Sequence, residues 1–176
     1  MKIDKNYKGI IKEGWRYKIE GNLETTESIE IDLDMGLFVT GSIRAGESIE
    51  AGWSIEAGEY IKAGEYIKAG GYIEAGESIE AGESHGVQAG LSITCKGLFK
   101  FGLKCFAGIC TWREIDDSEK TVTCGKFEGG TLEYGILKET GLASDKKTET
   151  ISIGGIEYEV TDDLKKALKS LKEVEG

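Results

Sequence analysis

The chain has 176 residues, enough for one domain with a real core, and its 22 basic and 32 acidic side chains give a formal charge of −10. That balance disfavours a nucleic-acid binder, because affinity for a phosphate backbone comes from clustered Lys and Arg, so direct nucleic-acid binding is not expected. There are 26 glycines, no proline and no long apolar run, so nothing reads as a membrane span and every backbone N–H is free to join a ladder.

The opening stretch "MKIDKNYKGIIKEGWRYKIEGNLETTES" (1–28) lacks the apolar segment of a secretory signal, which predicts a cytoplasmic protein with its four cysteines reduced. It alternates enough for short strands, and with Trp15 and Tyr17 it is expected to form an N-terminal β cap. A solenoid is expected over 29–111. It begins with the alternation of Ile29, Ile31, Leu33, Met35, Leu37 and Val39.

From Ile43 the chain repeats the hexad I-x-A-G-x-[S/Y]. Isoleucine recurs at Ile43, Ile49, Ile55, Ile61, Ile67, Ile73 and Ile79, followed two residues later by alanine (Ala45 to Ala81) and then by glycine (Gly46 to Gly82). In an extended chain Ile and Ala share one side, and the charged residue between them points away: Arg44, Glu50, Glu56, Lys62, Lys68, Glu74, Glu80. Glycine beside a small residue lets the chain turn a corner. A helix does not fit, because period six misses 3.6 and each glycine would cost about 1 kcal/mol against alanine. A two-residue Ala-Gly hairpin is a poor match to the turns that antiparallel strands use. Parallel stacking buries the Ile and Ala rows continuously, so the fold class expected is mainly β, a parallel β-solenoid of six-residue repeats.

Coil length follows from the outward charges, since like charges directly opposite destabilise a ladder. A coil of two hexads gives the alternating columns Arg44, Glu56, Lys68, Glu80 and Glu50, Lys62, Glu74. A coil of three sets Arg44 against Lys62 and Glu56 against Glu74. Charge therefore favours two hexads, with three as the alternative.

After Ala81 the inserted pair His85-Gly86 shifts the register. The frame resumes at Val87, Ile93, Phe99 and Cys105, and Phe99, Phe101 and Phe106 are expected to thicken the core. Residues 112–176 lose the hexad and predict a C-terminal α+β cap. "TVTCGKF", "TLEYGIL" and "TISIGGIEYEV" read as strands, the last with Gly154-Gly155 as a hairpin turn. A helix follows near 162–174, N-capped by Thr161, with Leu164, Ala167, Leu168, Leu171 and Val174 on one face. That stripe packs on the cap or joins two copies in a homodimer.

The six-residue periodicity, over roughly half the chain, resembles the hexapeptide-repeat β-helix proteins, best known as acyltransferases. In that family the small residue precedes the aliphatic one, whereas here Ala-Gly follows it. The tandem SIxAG run is similar to uncharacterised tandem-hexad proteins of phages and mobile elements of gut bacteria, and that likeness carries no catalytic residues.

Chemistry is sparse. His85 is the one histidine, so it could serve as an acyltransferase base but cannot supply a three-histidine zinc site. No cysteine pair has the C-x-x-C spacing, and Cys95 and Cys105 fall in alanine and isoleucine slots, as core residues do. Lys96, Lys100 and Lys104 are too few for a nucleic-acid site. No catalytic set, cofactor or metal site is expected, and the chain reads as a non-enzyme. Partner-binding candidates are Trp53 and, replacing serine in three successive hexads as a row of outward aromatics, Tyr60, Tyr66 and Tyr72, of the kind enriched at binding hot spots, with the corner acids Glu47, Glu59, Glu65 and Glu77. The function expected is a protein-interaction module. In the context that the phage likeness implies, it is an anti-CRISPR-like inhibitor of a bacterial defence complex, an acidic mimic of nucleic acid. The alternatives are a self-assembling spike or fibre element and a hexapeptide-repeat acyltransferase.

Overall fold

Each Ile-x-Ala triplet forms a short strand in the computed structural model, which describes residues 1–142, 150–153 and 156–159. The chain divides into two compact units, Met1–Ala143 and Ser144–Gly176. In the first unit, β7 (Ile43–Ala45), β10 (Ile61–Ala63) and β13 (Ile79–Glu80) stack in parallel as face I. Face II takes β8 (Ile49–Ala51), β11 (Ile67–Ala69) and β14 (Val87–Ala89). Face III takes β9 (Ile55–Ala57), β12 (Ile73–Ala75) and β15 (Ile93–Cys95).

Successive hexads thus occupy successive faces, and the chain returns to the same face after three. Lys62 on face I meets Glu80, 18 residues on. The coil is three-sided, which corrects the two-hexad reading drawn from charge: Arg44 does register against Lys62, and Glu56 against Glu74. The charge rule fails on magnitude. Two exposed charges about 5 Å apart in water interact by about 1 kcal/mol or less. Burying one isoleucine side chain contributes about 1.5–3 kcal/mol, and all seven hexad isoleucines are fully buried. Opposite charges then relieve the like pairs from the other side. Lys62 Nζ donates to Glu80 at 2.8 Å, Lys68 Nζ to Glu50 at 2.7 Å, and Arg16 holds both oxygens of Glu56.

Parallel pairing extends beyond the expected 29–111 in both directions. Below, β1 (Lys2–Ile3) lies against β5 (Ile29–Ile31) on face II, β4 (Leu23–Thr25) against β7, and β3 (Arg16–Ile19) against β6 (Gly36–Val39) on face III. The segment expected as an N-terminal cap is therefore largely a coil of the solenoid, with β2 (Ile10–Glu13) antiparallel to β3. Above, β16 (Leu98–Ala107) runs unbroken through faces I and II. Then β17 (Thr121–Cys124) and β19 (Ile136–Glu139) continue face III, and β18 (Lys126–Tyr134) lies on β16. The strands expected near 121–137 are present, as further coils. Among the described residues the only helical element is a 3-10 turn, Ser118–Lys120. In the second unit β20 (Thr150–Ile153) and β21 (Ile156–Glu159) form the expected antiparallel pair, with Ile153 opposite Ile156. The helix expected at 162–174 lies outside the described residues.

The core is three columns of isoleucine and three of alanine that change composition near the upper end. Phe99 continues the column of Ile79, and Phe101 takes an alanine slot. Both rings pack on Phe127, with centroids 5.8 and 5.2 Å away. Phe106, expected inside, pairs with Gln88 on the outward side and is only half-buried. Cys95 follows Ala75 and Cys105 follows Val87, as their slots predicted. All four thiols are free, and burial pushes Cys95 and Cys105 up to about 12 and Cys124 to about 11.

The corners explain the glycines differently from the sequence reading. No hexad glycine has positive φ. Instead, a Cβ on Gly64 would sit 2.0 Å from the carbonyl oxygen of Gly46 in the coil below. Glycine is needed there for close stacking of backbone on backbone. The ladder also continues through the corners, where Gly64 N–H donates to Ala45 at 3.1 Å and Glu65 N–H to Glu47 at 3.1 Å. A proline at those corner positions would remove a donor in use.

Candidate docking surfaces

Three hexads per coil means three edges, and the edges decide where the candidate residues lie. The chain passes from face I to II at residues 46–48 and 64–66, from II to III at 52–54 and 70–72, and from III to I at 58–60 and 76–78. Tyr60, Tyr66 and Tyr72 are one hexad apart in sequence and therefore fall on three different edges. Their carbonyls accept from Ile43, Ile49 and Ile55 respectively, one on each face. The structure does not bring the tyrosines together in a row. Trp53 shares the II–III edge with Tyr72 and is 51% exposed.

The acids do line up. Glu47 and Glu65 stack on the I–II edge, and Glu59 and Glu77 on the III–I edge, with Glu77 N–H donating to Glu59 at 2.9 Å. A hydroxyl of the coil below anchors each carboxylate. Ser28 donates to Glu47 at 2.7 Å, Ser42 to Glu59 at 2.8 Å and Ser48 to Glu65 at 2.7 Å, while the Tyr60 phenol bonds Glu77. Ser42 and Ser48 are buried under these caps. The alternation of Glu with Ser or Tyr at the hexad's end is thus an edge ladder. Strand spacing sets the backbones of its stacked residues about 4.7–4.9 Å apart.

Tyr66 and Tyr72 reach sideways instead. The Tyr66 phenol lies 3.4 Å from Glu50 and the Tyr72 phenol 3.5 Å from Glu56. Around Glu56 on face III the Arg16 guanidinium stacks 4.2 Å over the Phe38 ring and 5.4 Å from Trp15. Desolvation, with Glu56 beside it, pushes the Tyr72 phenol up to about 12. Glu74, in register with Glu56, is raised above the usual carboxylate range by desolvation first and by Glu56 second.

His85 acts through its backbone: its carbonyl accepts from Gly102 and Leu103, and its N–H donates to Gly82. Lys100 lies between Glu80 and Glu128 in the face I register, and Lys104 pairs with Glu133 at 3.1 Å. Among the described residues no group of three His, Cys, Asp or Glu is placed to hold a metal ion, and no helix is long and apolar enough to cross a membrane.

Sequence reasoning missed a groove on face II, of about 270 Å³, between Tyr66 below and Leu103 and Phe106 above. The signal for it was the insertion itself. Gly86 occupies the slot that Ser48 and Tyr66 fill in the coils below, and it leaves that slot without a side chain. No family model, curated protein or solved structure matches this chain.

Proposed function

We propose that this chain is a non-enzymatic, cytoplasmic protein-interaction module whose stiff frame presents ordered carboxylates to a basic partner. The observation that carries this is the pair of glutamate columns, each carboxylate held by a hydroxyl from the neighbouring coil. Preordered charge lowers the entropy cost of binding. The column spacing of about 4.7–4.9 Å is of the same order as the roughly 3.4 Å rise per phosphate of one DNA strand. In the narrower form implied by the tandem-hexad likeness, the partner is a nucleic-acid-binding defence complex of a bacterial host, blocked when the acidic edge fills its basic groove.

The test is capture at low salt from a bacterial host lysate, run beside the quadruple variant Glu47→Gln, Glu59→Gln, Glu65→Gln, Glu77→Gln. Glutamine keeps an acceptor for the edge hydroxyls while removing the charge. The reading expects the unmodified protein to retain a nucleic-acid-binding protein that added duplex DNA or salt releases, and the variant to lose it. Identical capture by both proteins, or no DNA-releasable partner, defeats it.

A further inference from the structure

The outward face of a coil is charged almost everywhere in the repeats, so an apolar recess on it needs a reason. On face II the outward column reads Glu30, Glu50, Lys68, Gln88, Phe106. Where it turns apolar, Leu103 is 57% exposed, and a groove opens between it, Phe106 and the Tyr66 ring. The recess is built rather than accidental. The His85-Gly86 insertion puts glycine at the edge slot, and close backbone packing keeps it glycine: a Cβ there would lie 2.1 Å from the Lys104 carbonyl oxygen. An exposed leucine beside aromatic rings costs solubility and contributes nothing to the buried columns, so its place on this wall points to a ligand.

Charge narrows the ligand. In a chain with ten more acids than bases, the groove lining contains Lys68 and Lys104 and no Asp or Glu. Their partners, Glu50 at 2.7 Å and Glu133 at 3.1 Å, lie outside the lining. The Gln88 amide adds both a donor and an acceptor to the same wall. The volume, about 270 Å³, falls at or below the small end of the roughly 300–1,000 Å³ typical of small-molecule sites. It suits one large side chain.

We infer that this groove is a docking site for a protein segment that inserts one aromatic side chain between Tyr66, Leu103 and Phe106 and sets flanking carboxylates against Lys68 and Lys104. An inserted aromatic ring gains apolar burial and ring–ring contact with Tyr66 and Phe106. The flanking acids share lysines that the glutamates hold only at the surface. This goes beyond the carboxylate-edge reading and uses none of its residues, so either can fail while the other stands.

The probe is an acetylated, amidated pentapeptide with a central tryptophan between aspartates, titrated while backbone amide shifts are followed at Gly86, Gln88 and Leu103. Its counterparts carry lysine in place of aspartate, or alanine in place of tryptophan. The expected result is a saturable shift of those amides by the first peptide and at least tenfold weaker binding of both counterparts. Leu103→Ser should weaken the first peptide at least tenfold, and Lys68→Gln with Lys104→Gln should remove its advantage over the lysine peptide. Leu103 is exposed, so folding survives its replacement. No shift at these amides, equal response to the lysine peptide, or saturation by indole-3-acetate at the same concentration as the peptide overturns the proposal.

Discussion

The coils of residues 43–81 and those of residues 87–139 share one parallel architecture but meet its demands in opposite ways. In the first, every strand repeats the same pair of inward side chains, and the corners, Gly52's excepted, close by glycine on backbone. In the second, isoleucine gives way to Phe99, Val87, Cys105 and Val122, and alanine to Phe101, Cys95 and Cys124. Large residues in small slots are offset by small residues in large ones, as a close-packed interior requires. The column register survives that exchange and even the His85-Gly86 insertion, since Ile67 still pairs with Val87 and Ile73 with Ile93. Inward alternation is therefore the invariant. Corner length and outward chemistry vary, and the apolar groove arises where they vary most.

The sharpest way to break the comparison is to empty the irregular core. Phe99→Ala removes a fully buried ring that contacts Phe101 and Phe127. It should cost about 3–5 kcal/mol in denaturant unfolding, against about 0.5–1.5 kcal/mol for Ile67→Val in the regular coils. A loss for Phe99→Ala no larger than that for Ile67→Val would mean that the Phe99 ring is not packed in the core beside Phe101 and Phe127.

Next in size is the glycine stack. Gly64→Ala forces a methyl within 2.0 Å of backbone and should cost about 1–3 kcal/mol, whereas Gly52→Ala, with nothing within 4 Å, should be neutral or stabilising by up to about 1 kcal/mol. Thermal unfolding of the two variants separates close stacking from backbone flexibility, because a flexibility role would make both costly.

The smallest effect probes the charge register. Glu74 has a raised carboxyl beside Glu56, so ionisation opposes folding there, and stability from this site rises as pH falls through its folded-state value. Glu74→Gln should stabilise the protein at pH 7 by under about 1 kcal/mol and by less at pH 4. A loss of stability at neutral pH would show that the like-charge pair is not a cost.

Much of this was legible in the hexad. The two-residue spacing of Ile and Ala placed both inside, and Cys95 and Cys105 were assigned to the core from their slots alone. Phe106 was misplaced although the hexad frame itself puts it outward: Cys105 fills the isoleucine slot and Ala107 the alanine slot, so the residue between them faces away from the core. The candidate tyrosines looked like a row only while the number of hexads per coil was open. With three per coil they scatter to three edges, while Glu47 with Glu65 and Glu59 with Glu77 fall into columns. Leu103 drew no notice and Gly86 was read only as part of a register shift, because their meaning appears only once the fold sets Tyr66 one coil below Gly86 and Leu103 one coil above it.

By itself the sequence determined which side of each strand is buried, because alternation in an extended chain is a local property and burial of an isoleucine outweighs a surface charge. It also determined that the strands stack in parallel, since no single triplet can hide its apolar face. The tertiary structure alone decided how many hexads close a coil, and with it every column, edge and groove. The outward charges that might have announced that number are worth about 1 kcal/mol or less per pair, too little to oppose the packing of three isoleucine columns against one another.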